Sequence, residues 1–106
     1  AESLVGPAAL ADLETFHVRL AFVGTDGFSV ERGLTTNMVE GAEVVKRMAA
    51  QAERTILAAD SGKWGRKGFV SVLPLGRIDT VIVDQGLDPA DREAILGCGV
   101  RDVQRV

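Results

Sequence analysis

Asp60, Ser61, Gly62 and Lys63 follow directly on the apolar run Thr55–Ala59 (TILAA), and Arg66 and Lys67 come shortly after. A run this apolar reads as a buried strand, so a carboxylate and several cations at its end belong at an exposed rim. Two other apolar runs end in a similar way. Val18–Val23 leads into Gly24, Thr25, Asp26 and Gly27, and Thr80–Val83 leads into Asp84, Gln85 and Gly86. Glycines let backbone N–H groups approach a ligand closely and form a nest for an anion. Lys63 supplies a point charge suited to phosphate. Asp26, Asp60 and Asp84 can accept hydrogen bonds from hydroxyls. A polyol phosphate needs both kinds of group. The same residues have plainer uses: an aspartate after a strand serves as a turn residue or helix cap, and Lys63, Arg66 and Lys67 suit a solvated turn.

Other chemistry lacks its residues. His17 stands without a Cys or His at metal-ligand spacing, so no metal site is expected. Cys98 lies between Gly97 and Gly99 with no second cysteine to pair with, which fits a reducing, cytoplasmic setting. No Walker A motif, no G-x-G-x-x-G and no nucleophile elbow occurs, so no nucleotide cofactor and no triad chemistry are expected. Trp64 is expected to pack over the basic turn.

The elements that must hold these turns follow from the pattern. Pro7–Phe16 has a helical look, with Ala8, Leu10, Leu13 and Phe16 roughly on one side. Val18–Val23 reads as a strand and Gly24–Thr36 as a glycine-containing loop, with Thr36 or Asn37 capping the next helix. Met38–Glu53 carries an apolar stripe of Met38, Ala42, Val45, Ala49 and Ala52, with Glu43 and Arg47 spaced as a surface pair. Met38 and Met48 are expected in or near the core. Thr55–Ala59 is the second strand. Phe69–Leu75 is extended or irregular, because Pro74 does not suit a central strand. Thr80–Val83 is the third strand. Asp88, Pro89 and Asp91 start a helix that runs to about Leu96 and ends at Gly97 or Gly99. Val100–Val106 suits a final edge strand.

Strands separated by helices imply an α/β fold with a mostly parallel sheet flanked by helices. The strands are apolar enough to expect cover on both faces. Parallel strands share one carboxyl rim, where open α/β sheets bind ligands, so the three turns are expected to converge there.

The chain has 106 residues, a net charge of −3 and 46% hydrophobic residues, which suits one soluble domain without a general nucleic-acid surface. No apolar run is long enough to span a bilayer, so no membrane partner is expected.

The segments VGPAALADLETFHVRLAFVGTDGFSVERGLTT, EVVKRMAAQAERTILAADSGKWGRKGF and LPLGRIDTVIVDQGL resemble, in collinear order over nearly the whole chain, the C-terminal effector domain of DeoR-type transcriptional repressors. The blocks AFVGTDGFSVERGLTT and LAADSGKWG carry most of the likeness. The resemblance implies a sensor with a ribose-5-phosphate isomerase-like fold. Such a sensor binds a phosphorylated sugar or related metabolite and controls operator binding through an N-terminal winged helix-turn-helix. It also implies homo-oligomers and the absence of catalytic residues. The family's D-x-x-K-like block falls on Asp60, Ser61, Gly62 and Lys63. Its G-T-D-G-F loop falls on Gly24, Thr25, Asp26, Gly27 and Phe28, followed by Gly33, Leu34 and Thr35. The expected effector-binding set is thus Gly24, Thr25, Asp26, Gly27, Phe28, Gly33, Thr35, Asp60 and Lys63. No helix-turn-helix and no earlier glycine-containing phosphate strand precedes these blocks. Residues 1–106 are therefore expected to be a sensor fragment that does not itself bind operator DNA and has an exposed sheet edge.

Two enzyme-like readings fit less well. A sugar-phosphate isomerase or deaminase needs a carboxylate base beside the carbonyl. GTDGF offers one acid where the resembled isomerases show more. A phosphoacceptor receiver wants paired acids after the first strand and a lysine after a late one, whereas Lys63 follows Asp60 closely.

Overall fold

The computed structural model describes residues 17–106. The helix expected over Pro7–Phe16 lies outside the described residues. Four strands form one parallel sheet in the order β1 (Val18–Val23), β4 (Ala52–Ala59), β6 (Thr80–Val83) and β7 (Asp102–Arg105). Its register pairs Val23 with Leu57, Leu57 with Val81 and Val81 with Val103. A smaller antiparallel sheet joins β2 (Gly27–Ser29), β3 (Gly33–Thr36) and β5 (Val70–Leu73). Two helices complete the described chain, α1 (Val39–Gln51) and α2 (Pro89–Leu96).

Each crossover of the parallel sheet steps the same way, from β1 to β4 to β6 to β7. Right-handed connections stepping one way all lie on one face. That face is the core: Ala21, Val23, Leu57, Val81, Val83 and Val103 are buried there, together with Ala42 and Ala49 of α1 and Ile95 of α2. The expectation of cover on both faces is corrected for β1, which alternates in place of being enclosed. Ala21 and Val23 are buried, while Val18, Leu20 and Phe22 are exposed.

The segment Gly24–Thr36, expected as a loop, contains the β2–β3 hairpin. Its residues Val30–Arg32 connect Ser29 to Gly33, the pair that closes the ladder. Gly33 has φ +68°, a left-handed conformation that a side chain disfavours, so glycine is required at this turn. The strand pair becomes stable by adding β5, with Leu34 opposite Leu73. Pro74 follows β5 and starts a short 3-10 turn, Leu75–Arg77, which suits its fixed φ.

The boundary between α1 and β4 also differs from the sequence pattern. The helix stops at Gln51, and Ala52, Glu53 and Arg54 belong to β4, where Ala52 pairs with Val18 and Arg54 with Leu20. Ladder hydrogen bonds to β1 outweigh the modest helical preference of these three residues. Met38 is exposed, against the expected core position, because it precedes the helix, and Met48 is half-buried. No side chain caps α1 in the usual way. Thr36 Oγ1 accepts from the Met38 amide (3.3 Å), while Asn37 Oδ1 accepts from the Phe69 amide (3.2 Å). Glu43 lies 3.5 Å from the Lys46 ammonium. The start of α2 follows its pattern, with Asp88 at the cap position and Pro89 first in the helix, although the Asp88 side chain makes no capping bond. The last strand, β7, lies at the sheet edge.

Candidate functional site

The three turns that follow β1, β4 and β6 are tied to one another at the carboxyl rim. After β4, Asp60 begins a 3-10 turn, Ser61–Lys63, and its Oδ1 accepts from the Gly62 amide (2.7 Å). The turn continues as Lys63 N–H donates to the Asp60 carbonyl (3.0 Å) and Arg66 N–H to the Lys63 carbonyl (3.2 Å). Gly65 N–H then donates to the Phe28 carbonyl (2.8 Å), and Phe28 and Trp64 form an isolated parallel bridge. Their rings meet edge to face, with centroids 5.1 Å apart at 64°, an arrangement favoured by the aromatic quadrupoles. The blocks GTDGF and DSGKWG are thereby stitched together.

Asp84 makes the second tie. Its carboxylate accepts from the Ser61 amide, from Ser61 Oγ (2.8 Å) and from the Gly86 amide (2.9 Å). The Ser61 amide, then its hydroxyl, then the Gly86 amide hold the Asp84 carboxyl below the usual range. Asp84 thus clips the end of β6 to the start of the Lys63 turn.

Asp26 is exposed, and its Oδ2 accepts from Thr36 Oγ1 (2.9 Å) and the Asn37 amide (3.0 Å). The Asn37 amide, and after it the Thr36 hydroxyl, lower the Asp26 pKa; burial opposes them, and the Lys63 charge adds a smaller lowering.

The expected effector-binding residues divide into two groups. Gly24, Asp26 and Asp60 are exposed, and Thr25 and Lys63 are half-buried. A Cβ built on Gly24 would meet nothing within 4 Å, so the space beside it is open. The Thr25 hydroxyl lies within hydrogen-bond distance of the Gly27 (2.6 Å) and Thr35 (3.0 Å) carbonyls and shapes its own loop. Gly27, Phe28, Gly33 and Thr35 are buried. Gly27 packs directly on the Arg66 backbone, where a side chain would collide. Thr35 Oγ1 donates to the Gly27 carbonyl (3.2 Å) and accepts from the Gly68 amide (2.7 Å). This second group frames the rim from within. Thr36 and Asn37, expected as a helix cap, and Ser61, expected within the D-x-x-K-like block, bond to Asp26, to the Phe69 amide and to Asp84, roles the sequence reading did not assign them. Their signal is hydroxyl or amide side chains immediately after the glycine blocks, meaningful only once the hairpin folds back.

Among the described residues no cluster of His, Cys, Asp and Glu gathers at metal-ligand geometry. His17 is exposed, and Cys98 is half-buried with its thiol 3.4 Å from the Ala94 carbonyl. A cleft of about 420 Å³, lined in part by His17, Arg19, Gln51 and Glu53, lies at the amino-terminal ends of β1 and β4. It sits at the rim opposite the glycine turns. The carboxyl rim carries the convergent glycines, carboxylates and lysine.

Residues 1–85 match the family model described as the DeoR C terminal sensor domain. The chain belongs to this family. It is 40% identical over 93 residues to an uncharacterized HTH-type transcriptional regulator, YulB, of Bacillus subtilis (strain 168), covering 88% of this chain and 36% of the relative. It is 39% identical over 105 residues to the HTH-type transcriptional regulator GlpR of Haloferax volcanii, covering 99% of this chain and 41% of the relative. A putative aga operon transcriptional repressor of Escherichia coli O157:H7 is 33% identical over 99 residues, with 93% of this chain and 37% of the relative covered. The sensor domain spans about two-fifths of the length of these curated relatives. They bear the names of transcriptional regulators, and the matched family is a sensor family, not an enzyme family. Among the described residues no helix is long and apolar enough to cross a membrane.

Proposed function

We propose that this sensor domain binds a phosphorylated sugar or related metabolite at the carboxyl rim of its parallel sheet. Binding there controls the operator affinity of an attached winged helix-turn-helix in a longer regulator. The phosphate meets Lys63 and the backbone N–H groups beside Gly24. Asp26 and Asp60 orient hydroxyls. Gly27, Phe28, Gly33 and Thr35 fix the shape of the rim without touching the ligand. The observation that supports this reading is the hydrogen bond from the Gly65 amide to the Phe28 carbonyl, which ties the segment after Asp26 to the turn that carries Lys63. A cation beside a hydroxyl-accepting carboxylate is the pair that a sugar phosphate needs and that a neutral sugar uses only by half. Regulation then requires that the effector prefer one of two conformations of the whole protein.

Calorimetry with a panel of sugar phosphates and the matching free sugars tests the reading. Lys63→Ala is expected to weaken binding of the phosphorylated ligand by roughly ten- to a hundredfold, the scale of a lost charge-assisted hydrogen bond. The free sugar is expected to lose little. Equal losses for both, or no binding of any sugar phosphate, overturn the reading.

A further inference from the structure

α1 starts without a capping side chain of its own. Its cap residue is Met38, which makes no side-chain capping bond. A helix leaves its first backbone N–H groups without partners inside the helix, and a polar side chain at the cap position normally accepts from one of them. Here the acceptor comes from another segment. Asp26, in the turn after β1, takes the Thr36 hydroxyl (2.9 Å) and the Asn37 amide (3.0 Å) on one carboxylate oxygen, Oδ2. Thr36 Oγ1 in turn accepts from the Met38 amide (3.3 Å), and the Met38 carbonyl accepts from the Ala42 amide (3.1 Å). An unbroken run of hydrogen bonds thus leads from Asp26 into the first turn of α1.

The same carboxylate reaches a third segment. Asp26 fixes the Asn37 amide, and the Asn37 side chain accepts from the Phe69 amide (3.2 Å), immediately before β5. Val70, the first residue of β5, pairs with Thr36. The entries to α1 and to β5 are therefore joined at Thr36 and Asn37, and Asp26 holds both residues. Both of its bonds fall on Oδ2, and a carboxylate accepts on two oxygens, so Oδ1 is the one suited to a ligand hydroxyl.

We propose that Asp26 caps α1 from outside the helix and that, through Thr36 and Asn37, the first turn of α1 and the entry to β5 respond together to what binds at Asp26. For its ligand this rests on the reading of the rim given above. A hydroxyl bound to Asp26 draws on the charge that holds Thr36 and Asn37. Occupancy of the rim and order at the start of α1 are then linked, and such a linkage runs equally in both directions.

Backbone 15N relaxation on the 106-residue chain, with no ligand added, tests the relay. It reads local order in the folded state, which a general loss of stability does not move. In Asp26→Ala the order parameters of Met38–Gly41 and of Phe69 are expected to fall from the roughly 0.85 of rigid backbone towards about 0.6, although the Phe69 amide does not touch Asp26. Val81 and Val103, paired within the parallel sheet, are expected to stay rigid. Asp26→Asn keeps an acceptor oxygen and is expected to fall between wild type and Asp26→Ala. Asn37→Ala keeps its backbone amide, so it is expected to loosen Phe69 and to leave Met38–Gly41 ordered. Glu40→Ala, which removes the acid from the first turn of α1, is the control and is expected to leave Phe69 unchanged. Unchanged order at Met38–Gly41 and Phe69 in Asp26→Ala overturns the proposal. So does an equal loss at Val81 and Val103, an Asn37→Ala effect as large on α1 as on Phe69, or a Phe69 response to Glu40→Ala equal to that of Asp26→Ala. A failure of every sugar phosphate to bind in calorimetry overturns the rim reading and leaves the relay in place, whereas these relaxation outcomes overturn the relay alone.

Discussion

The carboxylate of Asp84 accepts both the amide and the hydroxyl of Ser61, tying the end of β6 to the turn that presents Lys63. The two residues are far apart in sequence, and the tie costs no ligand-facing group. An aspartate that reads from the sequence as a hydroxyl acceptor for a ligand is here occupied by the protein itself. Asp84→Ala is expected to lower the thermal midpoint of unfolding and to weaken effector binding indirectly, by loosening the Lys63 turn. Ser61→Ala removes the hydroxyl but keeps the amide bond and should fall between wild type and Asp84→Ala. An Asp84→Ala variant with an unchanged midpoint would show that the clip carries no stability.

The acid limb of stability follows from the same carboxylates. Asp26 and Asp84 both have pKa values lowered in the folded state, by backbone and hydroxyl donors. A lowered folded pKa means that the unfolded chain binds more protons through the acid range, so stability rises with pH there. The contribution is fully present above the unfolded carboxylate pKa of about 4 and is lost as pH falls through the lower folded values. Urea midpoints measured from neutrality down to acid should therefore fall in that window. The fall should be shallower in Asp84→Asn and shallower still when Asp26→Asn is added. Identical acid limbs in all three proteins would remove both residues from the account.

How much of this was legible beforehand depends on the range of each interaction. β6 and the start of α2 are readable because their signals are local: TVIV is β-branched, and Asp88, Pro89 and Asp91 specify a helix start within a few residues. The β2–β3 hairpin is not, because each strand is short and its stability comes from β5, whose Leu73 pairs with Leu34 across much of the chain. The end of α1 misleads for a related reason: Ala52 and Glu53 suit a helix, but pairing of Ala52 with Val18 claims them for the sheet. The convergence of the rim turns follows from parallel topology, so a common rim for the turns after β1, β4 and β6 was foreseeable. The roles of Asp84, Thr36 and Asn37 were not, since each is set by a side-chain bond to a segment that only the fold brings near. β1's open face came from the direction of the crossovers, which a linear pattern does not state.

Two glycines should show different sensitivities from the rest. Gly33→Ala places a side chain at φ +68° and against the Leu73 carbonyl, so strain and collision act together. A loss of about 1–3 kcal/mol is expected, with the hairpin frayed. Gly27→Ala meets the Arg66 backbone, which cannot swing away as a side chain would. It should cost a similar amount, about 1–3 kcal/mol, by overpacking. It should also separate the hairpin from the basic turn. Gly24→Ala, with open space beside it, should leave stability within about 0.5 kcal/mol of wild type. Chemical denaturation of the three variants checks the order, and a Gly24→Ala loss as large as that of Gly27→Ala would contradict the packing described.

Trp64 is the one tryptophan of the chain, and it stands next to Lys63 with its ring against Phe28. Its emission therefore reports on the turn without any added label. Phe28→Leu removes the edge-to-face pair, worth about 0.5–1.5 kcal/mol beyond area. It also leaves the indole wetter, so the emission maximum should move to longer wavelength. Binding of a sugar phosphate at Lys63 should change the intensity or maximum in wild type, with a midpoint matching the calorimetric one, because the ligand sits one residue from the ring. The Lys63→Ala variant should lose this response at the same ligand concentration while keeping the wild-type spectrum of the free protein. If calorimetry reports saturation by a sugar phosphate and the Trp64 spectrum stays unaltered, the ligand binds away from this turn, and the cleft beside His17 and Glu53 becomes the place to look.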